Sequence, residues 1–135
     1  MQKKQLLIFI FVFGLTLTTG CMREEIPELT VTADGKEVEV QLSSYSWKGT
    51  ETSVIDPVEV AEDMEAIVVS ETINLAWTIS EEADSYRFST WSGKEWIYYE
   101  DINLPIEKGR TTYRVVAKWN NGDYANYLFV IDLVQ

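Results

Sequence analysis

The stretch "TTYRVVAKWNNGDYANYLFVIDLV", Thr111 to Val134, changes side-chain character at nearly every second residue. Tyr113, Val115, Ala117 and Trp119 occupy alternate positions, and Tyr127, Phe129, Ile131 and Leu133 do so again beyond Asn120-Asn121-Gly122-Asp123. A two-residue period sends successive side chains to opposite faces of an extended strand, so each row lines one face. With a glycine-containing turn signal between them, the rows predict an antiparallel hairpin with both apolar faces turned inward. Arg114 and Lys118 fall on the outward side. A helix would scatter the same apolar residues around its circumference and leave no face to bury.

The period holds upstream as well. "ELTVTADGKEVEVQL", Glu28 to Leu42, alternates Leu29/Val31 and then Val38/Val40/Leu42 around the hairpin signal Asp34-Gly35. "AIVVSETINLAWTI", "SYRFSTW" and "EWIYYE" follow at short spacing, with Gly, Asn, Asp or Pro between them. Beyond the first 27 residues nothing keeps a 3.6-residue apolar period over three turns, and Val58 to Ala66 is expected to make one short helical turn. The fold class expected is all-β, a single sandwich of about seven strands over residues 28–135. Its core draws on five tryptophans and seven tyrosines together with Phe88 and Phe129. Aromatic side chains bury about 150–250 Å² each, and a domain of roughly 100 residues can fold on such a core. The chain has one cysteine, so no disulfide within it supports the fold.

That cysteine closes a different kind of segment, "MQKKQLLIFIFVFGLTLTTGC". Lys3 and Lys4 form a cationic head, Leu6 to Leu17 an apolar middle and Thr18-Thr19-Gly20 a small-residue exit, which is the plan of a secretory signal peptide. An uncleaved membrane helix needs about 20 apolar residues, more than Leu6 to Leu17 supplies. A buried core helix would need a polar face, which Leu6 to Phe13 lacks. Leu17-Thr18-Thr19-Gly20-Cys21 resembles a bacterial lipobox, which implies cleavage between Gly20 and Cys21 and a diacylglyceryl group on the Cys21 sulfur. A thiol is the nucleophile such alkylation needs, and two or more acyl chains hold a protein stably on a bilayer. The organisation expected is a signal peptide over residues 1–20, a lipidated cysteine with a short tether over 21–27, and the sandwich beyond. The chain would then sit on the extracytoplasmic face of the cell membrane. Loss of Lys3 and Lys4 leaves nine basic against 22 acidic side chains, a net charge of −13. Such a balance excludes nucleic acid as a partner and gives no pull toward anionic lipid, so the lipid on Cys21 must do the holding.

Two broader resemblances follow from the order of motifs. "INLAWTI" with Trp77, "SYRFSTW" with Tyr86 and Phe88, and the final hairpin resemble a fibronectin type III or immunoglobulin-like sandwich over roughly Ala66 to Val134. The resemblance implies that Trp77 occupies the second-strand tryptophan position and Tyr113 opens the penultimate strand. Leu104 and Pro105 lie further from Tyr113 than in the usual fibronectin pattern, which lengthens the loop from Ile106 to Thr112. The lipobox, "PELTVTADGKEVEVQLSSYSW" (Pro27 to Trp47) and "NLPIEKGRTTYRVVAKWNNGDYANYLFVIDL" together resemble small lipoproteins of Bacillus and related Gram-positive bacteria, with Ser44 where those have glycine. This implies an anchored extracellular domain and transfers no catalytic residue.

Chemistry is restricted by what is missing. Without histidine, and with Cys21 committed to lipid, Ser-His-Asp and Cys-His arrangements and most zinc sites cannot be built. Glu59, Glu62, Asp63 and Glu65, or Glu100 and Asp101, could pair only if they faced each other across a cleft, as glycoside hydrolysis requires. An EF-hand spacing is absent. The expectation is a non-enzyme with no cofactor and no metal. Binding has a better candidate: in "STWSGKEWIYYE", Trp91 and Trp96 flank Ser92-Gly93-Lys94-Glu95 as a cross-strand pair, and Tyr98 and Tyr99 point to opposite faces. Exposed, Trp91, Trp96 and Tyr98 or Tyr99 would make a flat platform for wall glycan; turned inward, the tryptophans would close the core edge. Tyr45 and Trp47 share one side of a strand, expected inward. The expected role is an interaction domain contacting an envelope protein through a sheet edge or aromatic patch, with glycan binding at the Trp91/Trp96 hairpin as the alternative.

Overall fold

The computed structural model describes residues 25–54, 56–69, 74–100 and 108–134. The expected signal peptide with Gly20 and Cys21 lies outside the described residues, as does the stretch 101–107 with Asp101, Leu104 and Pro105. Ten strands and one helix run through the described residues: β1 Leu29–Ala33, β2 Lys36–Val38, β3 Gln41–Trp47, β4 Thr50–Thr52, α1 Pro57–Glu62, β5 Ile67–Val69, β6 Leu75–Ile79, β7 Ser85–Trp91, β8 Trp96–Tyr99, β9 Gly109–Lys118 and β10 Tyr124–Leu133. They form an all-β sandwich. One sheet has the order β2-β1-β6, and the other β4-β3-β10-β9-β7-β8 with β5 added alongside β10. Every pairing is antiparallel except that of β5 with β10. Seven strands have four residues or more; β2, β4 and β5 have three each, too short for alternation to reveal.

The Asp34-Gly35 hairpin forms as its sequence requires. Asp34 and Gly35 have φ of 50° and 82°, the pair of positive values that a two-residue type I′ turn needs. The row Val38, Val40, Leu42, read as one strand, divides: β2 stops at Val38 and β3 begins at Gln41 in the other sheet. All three side chains still reach the shared core, so the alternation continues across the switch. "AIVVSETINLAWTI" likewise splits into β5 of the large sheet and β6 of the small one.

Between the sheets, Leu29, Val31 and Ala33 of β1 and Leu75, Trp77 and Ile79 of β6 meet inward rows of β7, β9 and β10. Trp77 lies edge-on to Tyr86 at 4.7 Å and to Phe88 at 5.8 Å, and Tyr113 stacks on Phe129 at 4.8 Å with 9° between planes. Tyr45 and Trp47 turn inward as expected, Trp47 meeting Trp119 at 4.9 Å.

The final strand departs from simple alternation. Leu128 and Val130, on the outer side of β10, are as fully buried as Phe129 and Ile131 on the inner side. The cover is α1 and its exit, which bring Ala61 and Met64 onto them. This helix is short enough to depend on its ends. Asp56 Oδ1 accepts from the Glu59 amide at 3.2 Å and Pro57 opens the first turn. Beyond the last turn, Arg110 Nη2 of β9 donates to the carbonyls of Ala61 at 2.8 Å and Met64 at 3.0 Å. A cation at that end satisfies free carbonyls and complements the helix dipole.

The N-terminal approach is fixed by Tyr127. Its ring is buried and its hydroxyl donates to the Pro27 carbonyl at 2.5 Å. Burial pushes the Tyr127 phenol above its usual value, with the neighbouring Tyr86 adding to the effect, and Tyr113 is raised by burial and then by Tyr99. Folded tyrosines that hold their protons while unfolded ones ionise above about pH 10 stabilise the fold below that pH. The stability is lost as pH rises through the unfolded and toward the folded values. Urea midpoints are therefore expected to fall steeply above about pH 10. Tyr127→Phe should be less stable at neutral pH by about 1–3 kcal/mol and should show a shallower alkaline fall; an unchanged slope would reject the assignment.

Candidate functional site

The residues singled out for binding lie on the β7–β8 hairpin. Its four-residue connection is organised by Ser92, whose Oγ donates to the Glu95 carbonyl at 2.9 Å and accepts from the Glu95 amide at 3.1 Å. Gly93, at φ +98°, takes the left-handed conformation this tight path needs. Register then pairs Trp91 directly with Trp96 and Ser89 with Tyr98. These four residues share the outer face of the seven-stranded sheet. Tyr99, opposite Phe88, turns to the inner side, so Tyr98 and Tyr99 do point to opposite faces.

The geometry of the pair is a wedge. The Trp91 and Trp96 rings lie 5.4 Å apart and are inclined by 60°, which differs from the flat platform of the glycan-binding alternative. Both are half-buried, and Trp96 also packs against the cluster under α1. Tyr98 is the most open of the set, 53% exposed; Ile97, 41% exposed, lies on the other side of β8.

Two arginines complete the face. Arg114 of β9 lays its guanidinium 4.1 Å from the Trp96 centroid and donates from Nη2 to the Tyr98 hydroxyl at 3.2 Å. Arg87 of β7 places its guanidinium 5.1 Å over the Tyr98 ring. Burial draws the Arg114 guanidinium below its usual range; Tyr98 opposes that effect and the charge of Arg87 adds to it. Beneath them, Ser89 Oγ and Arg114 Nε are buried without a hydrogen-bond partner. Sequence reasoning assigned Arg114 to the outward side of its strand and did not single out Arg87. Outward position was legible from alternation, whereas contact with Trp96 and Tyr98 depends on the order β9-β7-β8, which no local pattern encodes.

The position of this face in the molecule follows from the ladders. Glu28, where the chain enters β1, exchanges hydrogen bonds with Ser80; the Glu82 carbonyl accepts from Trp119 Nε1, and Asp84 binds Asn120. The entry point thus lies at the end of the sandwich that carries the Asn120–Asp123 turn. Strand β7 starts at that end and runs away from it for seven residues, about 20 Å at the usual rise per residue. The Ser92–Glu95 connection is therefore at the opposite end from the point where the chain enters β1.

The other candidate groups do not assemble. Glu59, Glu62, Asp63, Glu65 and Glu100 are all exposed, and the bonds that Glu59 and Glu65 make there run from their backbone amides, to Asp56 Oδ1 and to Glu39 Oε2 at 2.9 Å. Among the described residues no three His, Cys, Asp or Glu side chains converge as a metal site would require. Beside the entry to β1, Ile26, Pro27, Val40, Leu42 and Tyr127 line a shallow hollow of about 230 Å³. No family model, curated protein or solved structure matches this chain.

Proposed function

We propose that this chain is a lipoprotein held on the extracytoplasmic face of the cell membrane through Cys21, of the kind found as small lipoproteins in Bacillus and its relatives. Its immunoglobulin- or fibronectin-III-like sandwich serves as a binding domain without catalytic activity, and the contact surface is the outer face of β7 and β8. The observation that carries this reading is the grouping of Trp91, Trp96 and Tyr98 with Arg87 and Arg114 on one accessible sheet face. Aromatic and arginine side chains are the types that dominate recognition surfaces, because each offers a large contact area with few rotamers to fix. Placement away from the tether leaves the face open to the surroundings of the cell.

An envelope protein approaching through the sheet edge is a second reading, favoured by Ile97 and Tyr98, which are exposed on the terminal strand β8. Both are tested with the full chain purified in detergent and immobilised, then offered solubilised envelope and isolated wall glycan. The expected result is retention of a discrete component by the parent and its loss with the pair Trp91→Ala/Tyr98→Ala, at a melting temperature close to the parent's. Equal retention by parent and variant would remove the β7–β8 face from the binding function.

A further inference from the structure

Arg87 and Arg114 meet the same tyrosine from two strands, one over its ring and one at its hydroxyl. Neither forms an ion pair with a carboxylate among the described residues, in a chain with 22 acidic and 11 basic side chains. Two like charges brought together repel. The ring faces of Trp96 and Tyr98 offset part of that. One carboxylate, Glu100, lines the same hollow as Arg87 and Tyr98, so two guanidinium groups face a single acid and the patch stays net positive, beside the buried and unpartnered Ser89 Oγ and Arg114 Nε.

Resting on the binding surface proposed above, we infer that the β7–β8 face takes an anionic saccharide, with sugar rings against Trp91 and Tyr98 and acidic groups on Arg87 and Arg114. The charge selects an anion. The choice of saccharide over acidic peptide comes from the face itself: β7 is paired on both sides, so its backbone groups are committed to the ladders. A peptide laid there would find guanidinium donors for its carbonyls but no backbone acceptor on β7 for its amides, at a cost for each amide buried. A sugar chain brings apolar ring faces and hydroxyl groups, which rings, guanidinium groups and the Tyr98 hydroxyl can meet. The wedge of Trp91 and Trp96 and the charged group at Tyr98 are two residues apart on β8, about 7 Å, so neighbouring positions of one chain reach both.

The net charge of −11 opposes any anion at long range, but at about 0.1 M salt the screening length is near 10 Å. Contact with two guanidinium groups then outweighs distant carboxylates. The full chain in detergent is titrated at that salt with dextran, dextran sulfate, polygalacturonate and poly-glutamate, read by calorimetry and tryptophan fluorescence. Dextran sulfate or polygalacturonate should bind at least about tenfold more tightly than dextran, and Arg87→Gln should weaken that binding about tenfold, as loss of a charged contact does. Lys48→Gln, the same charge removed just beyond the end of β3, should change it less than about twofold, since β3 lies three strands from β7, about 14 Å at the usual strand spacing and beyond the screening length.

Equal binding of dextran and dextran sulfate, unaffected by Arg87→Gln, would overturn the anionic class while leaving the binding surface intact. Tighter binding of poly-glutamate than of either acidic polysaccharide would overturn the saccharide in favour of an acidic protein. If none of the four polymers binds, the inference fails; retention of envelope components, and its loss in Trp91→Ala/Tyr98→Ala, then decides whether the surface itself stands.

Discussion

Phe129→Ala is expected to lower stability by about 3–5 kcal/mol, the cost of a large buried aromatic truncated in a packed core. Phe129 has no exposed surface, stacks on Tyr113 and stands in β10, the strand to which β3, β5 and β9 all pair. The surroundings cannot collapse into the space without moving two ladders at once. Natural domains retain only about 5–15 kcal/mol in total, so the variant should unfold at much lower urea and melt well below the parent. Val68→Ala is the comparison: Val68 is 60% exposed and its truncation should stay within about 0.5 kcal/mol. A loss below about 1 kcal/mol for Phe129→Ala would mean that this stack is not the centre of the core.

Cys21→Ala is expected to abolish acyl labelling and to move the protein out of the membrane fraction. One acyl chain binds a bilayer only marginally and reversibly, whereas two hold it stably, so removal of the attachment residue removes the whole anchor. Nothing else compensates, because a domain with nine basic and 22 acidic side chains beyond residue 20 is repelled by anionic headgroups. Metabolic acyl labelling followed by fractionation reads both effects. Labelling that persists in the variant would remove the lipid from Cys21. Membrane retention without label would instead show that Leu6 to Leu17 stays in the bilayer as an uncleaved anchor.

Much of the fold was legible because alternation is a local property. Tyr113/Val115/Ala117 and Tyr127/Phe129/Ile131/Leu133 face inward as their spacing demands, and Asp34-Gly35 makes the turn its residue types dictate. What alternation could not reveal is which sheet a strand joins. Val38 and Leu42 continue one apolar row yet belong to different sheets, and a chain switching sheets across the core leaves the row unbroken. The outer burial of Leu128 and Val130 was present in the run "YLFVI", whose unbroken apolar character marks a strand covered on both faces. It needed α1 to give it meaning. At the candidate site, the Trp91/Trp96 pairing followed from hairpin geometry. The tilt of the rings and the two guanidinium groups came from strand order and from twist, neither of which local sequence carries.

The placement of β10 has a consequence for timing. It is the last of the described elements along the chain, and it supplies a wall to the inter-sheet core, a floor to α1 and, through Tyr127, a hydrogen bond that spans 100 residues to Pro27. Contacts so distant in sequence cannot form until nearly all of the chain is available, and they make folding slow. β3, β5 and β9 all emerge with β10, a ladder partner of each, still to be synthesised. For the exported chain proposed above, these strands would cross the membrane before their last partner, and the large sheet would close only after the C-terminal hairpin had arrived on the far side.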